Sequence, residues 1–595
     1  MSRNVEVATL LEEFADLLDA NDVEYKPRAY RRAAENVREH PEPIELLAEE
    51  GHESLQRIDG VGEAIAEKIE EYLETGEIEE LEDLRTELPV AMGELTAVEG
   101  VGPKTVGSLY RALGIETLDD LERAAREERI REVDGFGAKT EENILENLEF
   151  ARQAGERSLL GEVRPLADAV LARLRSDEAV ETCEVAGSIR RWRETIGDVD
   201  ALAASGDRSA VIETFTDWTR VESVIEAGEN KASVRVAGVR IDLRVVAPEE
   251  FGASLQYFTG SRDHNIRLRN RAIREGLKVN EYGVFDVSEL DDAGGEEAGG
   301  EEESEGGSQR EGTLLASETE EEVYAALDLD WVPPELREDA GEIDAAASGE
   351  LPDLVEEGDV RGDLHVHTDW SDGALPIEET IAAAEDFGHE YLCIADHATG
   401  PGVVSGMGLS DEELLEQADL VRDAAVDAAI DVFAGVEANV DAGGEISVAD
   451  DVLAQLDFVV ASPHSGLSGD RESSTERLVR AVSHPHVDVL GHPSGRLLNQ
   501  RAGMELDVRE IARAAAEHGT ALEVNANPAR LDLNGTAVRA AIEEGATIVI
   551  NTDAHSPGEF ANVRYGVHTA RRGWAEASDV LNAQNVESVE SFVNE

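Results

Sequence analysis

Apolar positions follow two rhythms along this chain, and the change between them marks its organisation. Across residues 1–155 they recur at helical spacing in short blocks broken by glycine. Three blocks are near copies: LQRIDGVGEAIAEKIEEYLETG, LTAVEGVGPKTVGSLYRALG and IREVDGFGAKTEENILENLE. Each sets a G-x-G turn before an amphipathic helix, through Gly60 and Gly62, Gly100 and Gly102, and Gly135 and Gly137. From Gly362 the rhythm changes. Seven strand-length apolar runs, DLHVHT, YLCIADH, DVFAGVE, LDFVVASPH, VDVLGHP, ALEVNAN and TIVINTDAH, alternate with helical stretches. Strands alternating with helices predict parallel βα units closed into a distorted (β/α)7-like barrel. The fold class is therefore multidomain: helical N-terminal domains, an α/β middle and a C-terminal barrel.

Composition shifts place the boundaries. Residues 1–85 and 86–155 form two helical domains, and 156–245 an α/β domain. Residues 246–338 form a further domain, interrupted at 291–312 by DDAGGEEAGGEEESEGGSQREG, a Gly/Glu/Ser tract with nothing to bury. Residues 339–360 read as a linker with short helices or turns, and 361–595 as the barrel.

The α/β middle carries the first chemistry. GSIRRWRETIGDVD, residues 187–200, holds a Gly-Ser pair, an Arg pair, and Asp198 and Asp200 two apart. Residues i and i+2 of a strand share a face, so both carboxylates can reach one metal site. Gly187 lets a phosphate approach the backbone, and Ser188 and Arg191 can hold its oxygens. VRVAGVRIDLRVVA reads as strand and supplies a third acid, Asp242. Three carboxylates holding two divalent ions meet the requirement for phosphoryl transfer. Asp and Glu fill 131 of 595 positions, so Asp-x-Asp alone carries little; the order of the parts carries more.

In the barrel half the strand-like runs end in metal ligands, which places them on one rim. They are His365, His367, Asp372, His397, Glu437, His464, His492, Asp553 and His555. Imidazole and carboxylate without cysteine suit Mn2+, Zn2+ or Fe2+, and nine ligands with bridging carboxylates can hold up to three ions. His389, His486 and His518 fall outside the pattern and read as structural or exposed.

Charge then changes the picture. The formal net charge is −79, where a nucleic-acid-binding protein normally shows a basic footprint. The periodicity argues against a disordered acidic chain. Lysine is confined to Lys26, Lys68, Lys104, Lys139, Lys231 and Lys278, and arginine carries nearly all positive charge. This is the surface expected of a halophile, in a cytoplasm where molar salt screens carboxylates within about 3 Å. Phosphate binding then falls to local arginines and to backbone N–H groups at the G-x-G turns, the helix-hairpin-helix pattern. Two cysteines give no disulfide framework, and the charged N-terminus has no signal-peptide core. A cytoplasmic protein with no membrane segment is expected.

GSIRRWRETIGDVD, RIDLRVV and YFTGSRDHNIRLRNRAIREGLKVNEYGVF resemble the palm and thumb of family X DNA polymerases, and the domain order resembles their bacterial and archaeal fusions. HVHTDWSDG, ADH, GVE, SPH, GHP and TDAH resemble the polymerase-and-histidinol-phosphatase (PHP) domain, with every ligand position filled. The resemblance implies Mg2+ or Mn2+ on Asp198, Asp200 and Asp242, with Ser188 and Arg191 on the nucleotide phosphates. It implies Tyr257, Phe258 and Gly260 against the sugar, Asn265 on the minor-groove edge of the incoming nucleotide and Arg269 along the template. Lys68 falls on the Schiff-base lysine of a 5′-deoxyribose-phosphate lyase, and Lys26 and Tyr30 on the neighbouring phosphate pocket. Ala64, where lyase-active relatives carry another lysine, and the nearby Glu67, Glu70 and Glu71 favour a solvated lysine instead. The survival of a lysine here in so lysine-poor a chain favours the lyase role, and both readings stand. The function implied is gap-filling repair synthesis from dNTPs on gapped or nicked DNA, by a monomer, with a 3′–5′ exonuclease and 3′-phosphatase in the barrel. AP-site incision has also been associated with such fusions. The alternatives are a nuclease or phosphatase whose first half only binds DNA, and a DNA-binding scaffold with neither activity.

Overall fold

The computed structural model describes residues 3–594 other than 22, 24–25, 40–43, 59, 77, 97, 99–100, 134, 139–140, 142–143, 146–147, 149–156, 289–308, 401, 403–407, 468 and 499–502. Gly100 and most of the acidic insert lie outside the described residues. The chain forms two compact units, neither of them contiguous. One holds 1–157, 216–242 and 262–315, the other 158–215, 243–261 and 316–595. The division thus runs through the α/β middle, between Asp242 and Leu243.

The N-terminal unit begins as helices around one apolar core that includes Leu11, Phe14, Ile69, Val106 and Leu121. The G-x-G turns precede helices as the pattern predicts. Gly62 caps helix Glu63–Thr75, and Gly102 caps helix Pro103–Leu113 with proline in its first turn. Both helices end on a left-handed glycine, Gly76 at φ 83° and Gly114 at φ 70°. Gly60 and Gly135 take φ of 80° and 89°, which favours glycine. Gly107 permits a helix crossing, because a Cβ there would lie 1.9 Å from the Ala20 carbonyl oxygen.

VRVAGVRIDLRVVA forms two strands, Lys231–Val236 and Val239–Val246, where a single strand was expected. Ala237 at φ 50° and Gly238 at φ 77° make the intervening two-residue turn of the primed type that hairpins favour. The sheet runs Thr182–Val185, Val199–Ala204, Val239–Val246, Lys231–Val236, Ser223–Ala227. Three further strands, Leu277–Asn280, Gly283–Asp286 and Thr313–Ala316, form a small sheet. The last two bracket the acidic insert in sequence.

All seven barrel runs are strands, paired in parallel and in chain order: Gly362–Val366, Tyr391–Ile394, Asp431–Asn439, Phe458–Ser462, Val489–Leu490, Ala521–Asn525 and Ile548–Asn551. Alternate residues such as Val436, Ala438, Leu522, Val524, Ile548 and Ile550 pack into one apolar layer with residues of the surrounding helices, including Ile511, Val538 and Val567. Glu437, Glu523 and Asn551 lie out of phase with that layer and are fully buried. A parallel bridge from Val366 to Ala554 joins the first strand to the turn after the last, nearly closing the barrel.

Candidate active sites

Barrel closure builds the candidate metal centre. His367 donates its backbone N–H to the Ala554 carbonyl at 2.9 Å, which sets the DLHVHT and TDAH segments side by side. Ligand atoms then converge in three groups: His367, Asp372, His397 and His555; His365, His367 and Asp553; and His397, Glu437 and His464. Glu437 is the hub, with Oε1 3.0 Å from His492 Nε2 and 3.3 Å from His464 Nε2. His397 Nδ1 approaches the other oxygen. All nine expected ligands therefore meet at one rim. Two hold unusual backbone, His492 at φ 21° and Asp553 at φ 53°.

Two side chains absent from the sequence-derived set, and the backbone carbonyl of one residue within it, fix the tautomers. Glu523 Oε1 lies 2.8 Å from His365 Nδ1, and a carboxylate only accepts, so Nδ1 carries the proton and Nε2 is left as a ligand. Asn439 Oδ1 accepts from His464 Nδ1 at 2.7 Å, its orientation set because Nδ2 donates to the Ala398 carbonyl. The Asp553 carbonyl accepts from His555 Nδ1 at 2.8 Å. Asp396 organises the loop after the first strand, accepting from Thr368 N–H and hydroxyl and from Gln417.

The rim is built for cations. Buried His365 Nε2, both ring nitrogens of His367, His397 Nδ1, His492 Nδ1 and Glu437 Oε2 have no hydrogen-bond partner. Orphans of this number are costly without an ion. Burial pushes the His397 imidazole down, yet Glu437 and Asp372 outweigh it and raise it to about 10. Burial likewise opposes His555, which Asp372 and Asp553 raise to about 9. Burial acts to raise Asp372, but His397 and His555 hold it far below the usual carboxylate range. Such a field draws divalent cations, and the donor set fits imidazole- and oxygen-binding metals.

In the palm, Gly187 opens a single helical turn, Gly187–Arg190, at φ 61°. A Cβ there would lie 2.2 Å from Asp200 Oδ2, so the Gly-Ser turn and the Asp200 carboxylate are packed against each other. Asp198 is exposed, Val199 buried and Asp200 half-buried, the alternation expected of the strand. Arg190 is bidentate to Glu320 at 2.8 Å. Arg191 donates to the Thr259 carbonyl at 2.8 Å and to Glu338 at 3.0 Å, which ties it to the end of helix Phe251–Thr259. Ser188 is half-buried beside it. Tyr257 and Phe258 meet edge to face with centroids 5.1 Å apart, and Gly260 ends the helix. The Arg244 guanidinium covers the Phe258 ring.

The other unit carries Asp242, Asn265, Arg269 and the lyase candidates. Arg240 Nε lies 3.0 Å from both Asp242 oxygens. Asn265 and Arg269 are four apart on helix Arg262–Arg274, hence on one face. Lys26 is exposed at the start of helix Lys26–Glu39, whereas Tyr30 is 5% exposed and stacks on Phe14 at 4.5 Å. Lys68 Nζ lies 2.5 Å from Glu80 and over the Phe14 ring. Burial acts to lower this amine, but Glu80 and Tyr30 raise it, so the ammonium form is favoured. Gly62, Gly102, Gly135 and Gly137 have open space where a Cβ would stand.

An acid-bearing α/β sheet joined to a parallel barrel whose rim could hold metal ions defines a class: a two-headed enzyme of phosphate-ester chemistry. Family models match in the same order. They are a helix-hairpin-helix domain at residues 2–78, a SAM-like helix-hairpin-helix tandem at 92–149, the DNA polymerase beta thumb at 254–338 and the PHP domain at 363–527. The chain is 34% identical over 594 residues, 99% of both proteins, to the DNA polymerase/3'-5' exonuclease PolX of Bacillus subtilis (strain 168). It is 25% identical over 354 residues, 56% of each, to DNA polymerase lambda of Rattus norvegicus. Over 202 residues, 32% of this chain and 75% of the other, it is 32% identical to a protein named as a probable phosphatase from Shewanella sp. (strain MR-4). The chain belongs to the family X DNA polymerases that carry a C-terminal PHP domain. Among the described residues no helix is long and apolar enough to cross a membrane.

Proposed function

We propose that this chain fills gaps in DNA by template-directed nucleotide addition at the palm and trims or dephosphorylates 3′ ends at the barrel. The gathering of the nine rim residues, with buried nitrogens of His365, His367, His397 and His492 left unpartnered, carries the second half of this reading. Full-length likeness to a polymerase with exonuclease activity supports both halves.

At the palm, Asp198, Asp200 and Asp242 would hold Mg2+ or Mn2+, while Gly187, Ser188 and Arg191 cradle the triphosphate. Tyr257, Phe258 and Gly260 press on the sugar, Asn265 reads the minor-groove edge and Arg269 tracks the template. At the barrel the nine ligands would hold up to three ions among Mn2+, Zn2+ and Fe2+, which supply charge stabilisation to the phosphoryl oxygens. Glu523, Asn439 and the Asp553 carbonyl hold the imidazoles of His365, His464 and His555 with Nε2 facing inward. The G-x-G turns, Gly60 and Gly62, Gly100 and Gly102, and Gly135 and Gly137, offer backbone N–H groups to DNA phosphates. Lys26, exposed at the start of its helix, and Tyr30, beside Lys68, would serve the 5′-phosphate pocket. Lys68 would release Glu80 before acting as a lyase nucleophile.

The substrate is gapped or nicked DNA, met by a monomer in a salt-rich cytoplasm. An assay of the purified chain on a gapped duplex in molar KCl tests the reading. Nucleotide incorporation and 3′ trimming, both lost on chelation and regained with Mn2+ or Mg2+, are expected. Trimming without incorporation would leave a nuclease whose first half only docks DNA.

A further inference from the structure

The Gly-Ser turn of the palm is gripped by a helix of the barrel. Arg191 spends two donors within the fold, Nε on Glu338 at 3.0 Å and Nη1 on the Thr259 carbonyl at 2.8 Å. Among the described residues its Nη2 makes no hydrogen bond. Thr259 ends the helix that carries Tyr257 and Phe258. Glu338 is shared in turn. Arg572, the last residue of helix Val563–Arg572, donates from Nη1 to the same Glu338 oxygen at 3.2 Å and to the Arg191 carbonyl at 2.7 Å. The barrel therefore reaches Arg191 twice, once through its backbone and once through the carboxylate that aims its side chain.

Two further observations point the same way. Trp192 keeps φ at 52°, a left-handed value a tryptophan rarely adopts. Its ring is stacked on His568 at 3.6 Å and covered by the Arg164 guanidinium at 4.6 Å, so the same helix holds the strained residue in place. Arg193 then donates its N–H to the Ser188 carbonyl at 3.1 Å, closing the turn back on the Gly-Ser pair. The charge around Glu338 is also unbalanced. Burial acts to raise its carboxyl, but Arg191, Arg572 and Arg193 hold it below the usual carboxylate range. The other acid in the field of Arg572, Glu194, is spent on Arg496 at 3.1 and 2.9 Å. Three guanidiniums around one carboxylate leave surplus positive charge in a chain of net charge −79, and a polyphosphate supplies the fitting counter-charge.

We propose that Glu338 and Arg572 are positioning residues for the incoming nucleotide, holding Arg191 so that its free donors meet the triphosphate, and that a barrel helix thereby sets the palm's nucleotide affinity. This rests on the reading that places Arg191 on the nucleotide phosphates. A guanidinium already fixed in its working plane loses less freedom for each bond it makes to phosphate.

The full-length chain in molar KCl gives the test, read as KM for the matching dNTP and kcat on a gapped duplex, with 3′ trimming and melting temperature alongside. Glu338→Ala is expected to raise KM about tenfold, to keep kcat within about threefold and to leave trimming unchanged. Arg572→Ala should show the same split, and the double variant should do no worse than the weaker single, because the two residues act as one unit. Arg572→Lys should recover only part of the loss, since an ammonium lacks the planar fork. Glu338→Gln keeps the shape and loses the charge. It should show a smaller rise in KM, and it decides the matter where an alanine variant fails to fold. An unchanged KM in folded Glu338→Ala or Glu338→Gln, or a loss of trimming that matches the loss of incorporation, would make these contacts structural and overturn the proposal. Arg191→Ala separates the two levels. An unchanged KM there would fail the palm reading of Arg191, whereas a raised KM there with none in the Glu338 variants would fail the positioning role alone.

Discussion

Glu523 does not touch the rim from outside, yet it decides which nitrogen of His365 faces the centre. Its carboxylate also accepts from the His492 backbone N–H at 2.6 Å, from Asn551 at 3.1 Å and from Asn525 at 3.3 Å. Four donors on two oxygens need a full carboxylate, and an amide turns one acceptor into a donor aimed at donors. Glu523→Gln is therefore expected to lower metal affinity by roughly 10- to 100-fold and trimming with it. Metal content after dialysis checks this, and full retention would contradict it. The convergence of the nine candidate ligands on one rim was legible because each closes or follows an apolar run. Glu523 was hidden inside one, ALEVN, where its only signal was position: it alternates with Leu522 and Val524, which pack against the helices. Tyr30 shows the converse, since a motif match says nothing of this ring's burial against Phe14.

At the scale of elements, helix Val563–Arg572 of the barrel lies along the palm's Arg-rich turn. Trp192 stacks on His568 with centroids 3.6 Å apart, between the Arg164 and Arg564 guanidiniums. Arg572 donates to the Arg191 carbonyl at 2.7 Å. Below the stack, Glu335 accepts from His568 at 2.6 Å and Arg571 at 2.7 Å. Burial acts to raise Glu335, but these two partners hold it at about 2. A carboxylate depressed in the fold stabilises above its ordinary value of 4.5 and loses that contribution as pH falls toward about 2. The contribution is on the order of 3 kcal/mol, and burial shields it from salt. Glu335→Gln is expected to lower the melting temperature at pH 7 and to flatten its fall between pH 5 and about 2, within that window. A parallel curve for wild type and variant would contradict the pairing. None of this seam was legible, because stacking between residues so far apart in sequence leaves no periodic trace. The seven strands were legible because alternation and length are local properties. The Ala237–Gly238 hairpin was not, since only Gly238 announces a turn and alanine at positive φ is rare.

For the whole molecule, the charge of −79 and the two separate chemistries set the expectations. Repulsion among carboxylates at low ionic strength opposes compaction, and molar salt screens it within about 3 Å. Melting temperature should rise steeply with KCl, and DNA affinity should persist there because few side-chain cations take part in phosphate binding. A melting temperature unchanged in dilute buffer would remove the salt-adapted reading. The central claim is that the palm and the barrel are distinct sites of phosphate chemistry in one chain. The most direct measurement is incorporation on a gapped duplex and 3′ trimming on the same DNA, for Asp198→Ala and His365→Ala side by side. We expect Asp198→Ala to lose incorporation and keep trimming, and His365→Ala to lose trimming and keep incorporation. If either substitution abolishes both activities while the protein stays folded, the two-site account is wrong.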